Sequence, residues 1–161
     1  PVDYLHVFTY SERANTTALA TWIAVIGGGF GLHRFYLNGF RDVWGWLHGV
    51  PTLIGLYGVQ RMNDVGQDDM LAWALIPLLG FALAAAMLAA IVYGLTPDEK
   101  WDARHNPGQA GVATAWGPVL AAIAGLLVGG AVLMGTVAFS GQRFFEWQLE
   151  PAAASAPLPR S

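Results

Sequence analysis

Along the chain, long apolar stretches alternate with short polar ones. No Asp, Glu, Lys or Arg occurs in residues 14–32, 43–60, 70–97 or 106–142. A helix that crosses a hydrocarbon core of about 30 Å needs about 20 mostly apolar residues. The third and fourth stretches exceed that length, and the first two approach it. A helix buried in a soluble protein rarely runs so far without a charged face. The pattern therefore predicts an all-α, polytopic integral membrane protein with four transmembrane helices. Span one covers Thr17 to Leu32, span two Val43 to Val59, span three Met70 to Leu95, and span four Val112 to Phe139. The breaks "NGFRD", "QRMNDVGQDD" and "TPDEKWDARHNPGQ" hold turn and polar residues.

This patterning divides the chain into an N-terminal interfacial segment (1–16), a two-helix hairpin domain (17–64), a second helix pair (65–142) and a low-complexity tail (143–161). A short surface helix is expected near 97–105. Thr96 is placed to cap it, Pro97 suits its first turn, and Asp98 and Glu99 favour its positive end. Asn106-Pro107-Gly108 ends it. The first and third breaks then face one side of the membrane, and the second break and both termini face the other. Trp44, Trp46, Trp101 and Trp116 fall near the first side, Trp22, Trp73 and Trp147 near the second, as expected for interfacial aromatic belts. Arg34, Arg41, Lys100 and Arg104 stand against Arg13, Arg61 and Arg143, an imbalance that favours cytoplasmic first and third breaks. Pro1-Val2-Asp3 opens a polar-aromatic segment in which no cleavable signal peptide is expected. The expected location is a multi-pass one, in the bacterial inner membrane.

Composition agrees with this class. Charged residues make up 12% of the chain, against about 25% in an ordinary soluble domain. A net charge of −3 gives no reason to expect nucleic acid. The chain has no cysteine, so disulfide, thiolate and iron–sulfur chemistry are excluded.

The stretch "GGGFGLHRFYLNGF", residues 27–40, is the most distinctive. Its glycines do not keep the G-x-G-x-x-G spacing of a dinucleotide fold, and no G-K-[ST] follows. Inside a membrane, small residues let helices approach closely where lipid supplies no hydrophobic drive. Gly27, Gly28 and Gly31 are read in that way, as are the four-residue pairs Gly45/Gly49 and Gly125/Gly129. The segment "GGFGLHRFYLNG" resembles the signature G-G-x-G-x-[HD]-R-F-Y-x-G of the two-transmembrane-helix domain family. Gly28, Gly29, Gly31, His33, Arg34, Phe35 and Tyr36 match position by position, and the resemblance covers about residues 15–65. Asn38 precedes Gly39 where the family more often has glycine directly, and the acid late in its second helix is at best Asp64. The resemblance implies a helical hairpin and says nothing of residues beyond it.

At the edge of a bilayer, Arg34 keeps its guanidinium among headgroups while Phe35 and Tyr36 anchor the turn. His33, Arg34, Phe35 and Tyr36 are thus the expected partner or lipid contacts. Acceptors for Arg34 on its own side are Asp42, Asp98, Glu99, Asp102 or a lipid phosphate, and Asp64 lies on the other. His33 and His48 are expected to hydrogen-bond rather than to hold a haem or metal, for want of supporting carboxylates. Asp98, Asp102 and His105 read as a solvated helix face rather than a metal site. No catalytic residue, metal or cofactor is expected. The function these features suggest is a non-catalytic accessory or scaffold subunit of a larger membrane protein complex. It would contact membrane lipids and other integral membrane subunits through packed helices. The alternative is a small-solute or ion transporter or channel component. That class usually places ionisable groups or broken helices within its spans, and only His48, Pro51, Pro77 and Pro118 suggest them here.

Overall fold

The structure, a computed structural model, describes residues 17–107 and 116–154, with side chains through Leu149. The predicted interfacial segment, the start of span four and the end of the tail lie outside the described residues. The described residues are all-helical. Helix α1 (Thr17–Phe30) ends in a 3₁₀ turn at Gly28–Phe30. It is followed by α2 (Leu32–Asn38), α3 (Val43–Val65), α4 (Met70–Gly94), the short α5 (Asp98–His105) and the long α6 (Gly117–Ala154). Two of these, α4 and α6 over Gly117–Leu149, are long and apolar enough to cross a membrane.

Helix α4 is the centre of the fold, with α3 on one face and α6 on another. Glycine sets both contacts. A Cβ on Gly58 would meet Leu75 at 2.7 Å, and one on Gly55 would meet the backbone of Leu79. Opposite α6, a Cβ on Gly80 would meet Thr136 and one on Gly94 would meet the Pro118 carbonyl. Gly125 and Gly129 lie against Met87, with Ala90 also beside Gly125. In each pair one number rises along the chain as the other falls, so both packings are antiparallel. Close backbone approach of this kind maximises van der Waals contact, the main attraction left between helices in an apolar solvent.

Helix α1 departs from the predicted span. Thr17 shares a pocket with Gly94, Thr96, Pro97 and Asp98, and a Cβ on Gly117 would sit 3.5 Å from Ala18. At its other end, Gly28 lies against Ala86, and Gly29 against Leu83 and Thr52. Leu83 is near the midpoint of α4, so α1 enters beside the C-terminal end of α4 and stops about halfway along it. Gly31, at φ 73°, reverses the chain. Helix α2 then climbs back, bringing Leu37 and Asn38 beside Val92 and Thr96. Helices α1 and α2 thus form a short hairpin whose two ends sit at the same end of the bundle, in place of the expected single crossing. The charge-free window 14–32 is equally compatible with a crossing and with a return, which is why its length alone misleads. Trp22, predicted near the opposite side, belongs to the entering half of this hairpin.

Two smaller differences concern α5 and α6. Thr96 does not cap α5: its hydroxyl donates back to the Val92 carbonyl, and Pro97 takes the cap position without a side-chain bond. Helix α6 continues through Ala154, past Gln142. Gln142 and Arg143 both donate to Glu146 there, and such i,i+4 and i,i+3 pairs support an added turn of helix.

Candidate functional site: the re-entrant turn and the polar end

The hairpin tip is a backbone break inside the bundle, and several of its backbone polar groups find partners there. The Gly31 N–H donates to the Gly28 carbonyl at 2.8 Å, and the Gly31 carbonyl accepts from Arg34 and Phe35 at 3.0 and 3.2 Å. The Gly29 carbonyl accepts from the Thr52 hydroxyl of α3 at 2.5 Å. Irregular backbone away from water needs partners from the protein itself. Here it is enclosed: Gly27, Gly28, Gly29, Gly31 and His33 are all buried. No residue but glycine fits at 31, because its φ is left-handed and a Cβ would collide with the Gly45 carbonyl oxygen. A Cβ on Gly45 would in turn strike the Phe35 ring, which also packs on Phe40 and Trp46 at 5.5 and 5.1 Å.

The residues singled out in the sequence therefore separate into distinct groups. Gly28, Gly31, Gly45, Gly125 and Gly129 lie at close contacts between elements. Gly27 meets only Leu32 of its own turn, and the nearest atom to Gly49 is the Phe30 carbonyl oxygen at 3.8 Å. Of the four expected contact residues, His33 is 1% exposed and so turned into the bundle. Phe35 packs inward, whereas Tyr36 is exposed. Arg34 is part-buried, and its Nε donates to Asp42 Oδ2 at 2.9 Å.

His33 joins a row of rings that crosses three further helices. It meets His48 of α3 edge-on at 5.5 Å and Tyr93 of α4 at 5.8 Å. Tyr93 meets Trp101 of α5 at 5.8 Å, and Trp101 lies 4.4 Å from His105. The row ties the hairpin to α5. Among the described residues, two buried side-chain polar atoms lack a hydrogen-bond partner: His33 Nδ1 and Trp101 Nε1.

Asp42 organises the turn that follows. It caps α3 through Oδ1, which accepts from the Trp44 N–H at 3.0 Å, while Oδ2 accepts from Arg34 and Asn38. Its partial burial pushes the pKa up, but the bonds from Asn38, Arg34 and Trp44 outweigh that and hold it below the usual 3.8. The next turn repeats the device. Asp69 caps α4 through Leu71, and its Oδ2 accepts from Arg61 Nε. Trp46 donates its indole N–H to the Phe40 carbonyl, and Trp73 donates to that of Gln67. Gly39 and Gly66 both have positive φ. The chain thus contains R-x4-G-x2-D-x3-W twice, at Arg34–Trp46 and at Arg61–Trp73, 27 residues apart. The sequence reading missed this internal repeat, although the spacing of Arg, Gly, Asp and Trp carries it openly.

Comparison with family models, with curated proteins and with solved structures finds no match to the chain. The likeness to the two-transmembrane-helix domain family rests on the residues from Gly28 to Tyr36 alone.

Proposed function

We propose that the chain is a non-catalytic accessory or scaffold subunit of a larger membrane complex, working through helix packing. The observation that carries this is the outer face of α6. Gly130, Met134, Val137 and Gly141 fall on one helical stripe, at steps of four, three and four residues. Met134 is 75% and Val137 56% exposed, and a Cβ on Gly130 or Gly141 would meet nothing within 4 Å. The buried face of the same helix uses the same ingredients, Gly125, Gly129 and Thr136, to seat α4. A second integral membrane subunit docking on that outer stripe is the reading we adopt. The packed state of the hairpin break supports it over transport, because side chains fill the place where a transporter would keep a path.

In this reading α3, α4 and α6 cross the bilayer and α1–α2 enters it halfway. Arg34, Arg41, Lys100 and Arg104 mark the end that holds α5, against Arg61 and Arg143 at the other. The positive-inside rule then sets the α5 end in the cytoplasm. The chain lacks native cysteine, so single-cysteine variants report topology without background. Ala18→Cys and Asn38→Cys should label from one side and Gln67→Cys from the other; labelling of Ala18→Cys from the Gln67 side would sink the re-entrant topology. For the role itself, the tagged chain purified in mild detergent should run above 17.2 kDa plus micelle with unrelated subunits. Gly130→Leu and Gly141→Leu should release them while leaving melting temperature unchanged. A monodisperse monomer that moves a solute in proteoliposomes would refute the subunit reading.

A further inference from the structure

Where α2, the end of α4 and α5 meet, the surface is concave and basic. A cleft of about 200 Å³ is lined by Arg34, Asn38, Tyr93, Lys100, Arg104 and His105, among others. We propose that this cleft binds one phosphate group, carried by a lipid headgroup or by a soluble phosphomonoester. Three cations line it and no carboxylate does. Lys100 and Arg104 have no ion-pair partner among the described residues. Arg34 binds Asp42 through Nε, and its Nη groups have no acceptor among the described residues. Asp98, Glu99 and Asp102 share α5 but lie outside the lining. Asp42 offsets Arg34 alone, and two further cations beside it suit a ligand with several acceptor oxygens and negative charge.

Two rings also stand at this cleft, Trp101, which is 3% exposed and packs on His105, and His105 itself. Burial and then Arg104 lower the pKa of His105, so the ring is neutral at pH 7 and able to donate a further bond. The repeated turn gives an internal contrast. The segment after Arg61 carries Asp64, Asp68 and Asp69, and the cation nearest that turn, Arg143 over Trp73, is itself paired with Glu146.

The lipid form of the proposal rests on the membrane reading above; the soluble form does not. The test uses the full chain in dodecylmaltoside micelles, with native mass spectrometry after titration with phosphatidic acid, phosphatidylcholine or glycerol 3-phosphate. The wild type should retain one phosphatidic acid with about tenfold preference over phosphatidylcholine, and Arg104→Gln or Lys100→Gln should each weaken it roughly five- to tenfold. Arg41→Gln, which removes an exposed cation outside the lining, should leave binding unchanged. Saturable glycerol 3-phosphate binding with the same losses, but no lipid preference, assigns the cleft to a soluble phosphomonoester. Equal losses in Arg41→Gln would reveal diffuse charge attraction and overturn the proposal, as would no saturable binding of any probe. Alkaline carbonate extraction of native membranes reads the membrane assignment separately, since release into the supernatant would remove that assignment and leave the phosphate titration to be judged alone.

Discussion

The two turns that bracket α3 share one device and differ in everything around it. Each has an Arg Nε on the Oδ2 of an Asp eight residues on, that Asp as helix cap, a positive-φ glycine three residues before it, and a Trp indole closing the loop. What occurs in both turns is best explained by the turn itself: a sharp reversal between antiparallel helices needs its end groups capped wherever it occurs. What occurs in only one calls for another explanation. Only the first turn has a short helical hairpin before it, a buried imidazole, and a basic cleft beside it. The comparison separates scaffold from candidate function without recourse to relatives, and it recasts Arg34. The sequence presents Arg34 as a distinctive motif residue, yet its bond to Asp42 is the part of the site that the second turn duplicates.

The largest effect expected from breaking this contrast is at Gly31, whose counterpart 27 residues on, Gly58, lies within α3 and has no left-handed φ. Gly31→Ala adds a left-handed backbone penalty of about 1–2 kcal/mol and a clash with the Gly45 carbonyl worth about 1–3 kcal/mol. It should lower the melting temperature by roughly 5–15 °C, or prevent assembly of the hairpin. Gly39→Ala and Gly66→Ala carry the strain without the clash, since nothing lies within 4 Å of either added Cβ. Their losses should be smaller and alike, and a large gap between them would show that the turns are not equivalent. Next come Asp42→Asn and Asp69→Asn, which keep a cap but remove the charged partner of each Arg. Both should cost about 2–4 °C in thermal scans. An Asp42 variant that loses phosphate binding while Asp69→Asn does not would tie the first device to the cleft after all.

Acid offers a finer probe. The Asp42 pKa is lowered in the folded chain, so its contribution to stability is present above the ordinary 3.8 and fades as pH falls through the folded value below that. Wild-type stability attributable to this group should therefore be flat from pH 7 to about 4 and decline only beneath. Asp42→Asn should remove that low-pH component, measured as the difference between the two melting curves. A difference appearing already at pH 6 would assign the effect to another group. The smallest change expected is Arg34→Lys. Part-exposed ion pairs contribute about 0–1 kcal/mol, and Lys keeps the charge, so retention of partner subunits should be nearly unaltered. A clear loss would mean that the planar fork of Arg34 grips something besides Asp42.

How much of this was legible beforehand depends on the kind of signal. The charge-free windows placed the starts of α3 and α4 at Val43 and Met70, because each follows an Asp that caps the helix, and the end of α4 within a residue. Helix α3, by contrast, runs six residues past the expected Val59, to Val65. The bends of the chain in depth were not legible. Residues 17–32 have the composition of a span whether they cross or return, and the difference lies in tertiary contacts of Gly28, Gly29 and Gly31 with α3 and α4. The cleft was hidden for a similar reason. Arg34 and Asn38 stand some sixty residues from Lys100 and Arg104 in sequence, and neither pair looks like a site by itself.

The half-depth hairpin also fixes an order of events. Helix α1 is too short to be stable alone in water, and its broken tip leaves a carbonyl that only Thr52 satisfies and a glycine that only the Gly45 surface accommodates. Ala86 and Leu83, which receive Gly28 and Gly29, emerge from the ribosome more than fifty residues later. This helix is therefore made before the helices that receive it and settles after them. It cannot dock until α3 and α4 stand as a pair. A chain truncated before α4 should leave that hairpin at the surface, open to protease.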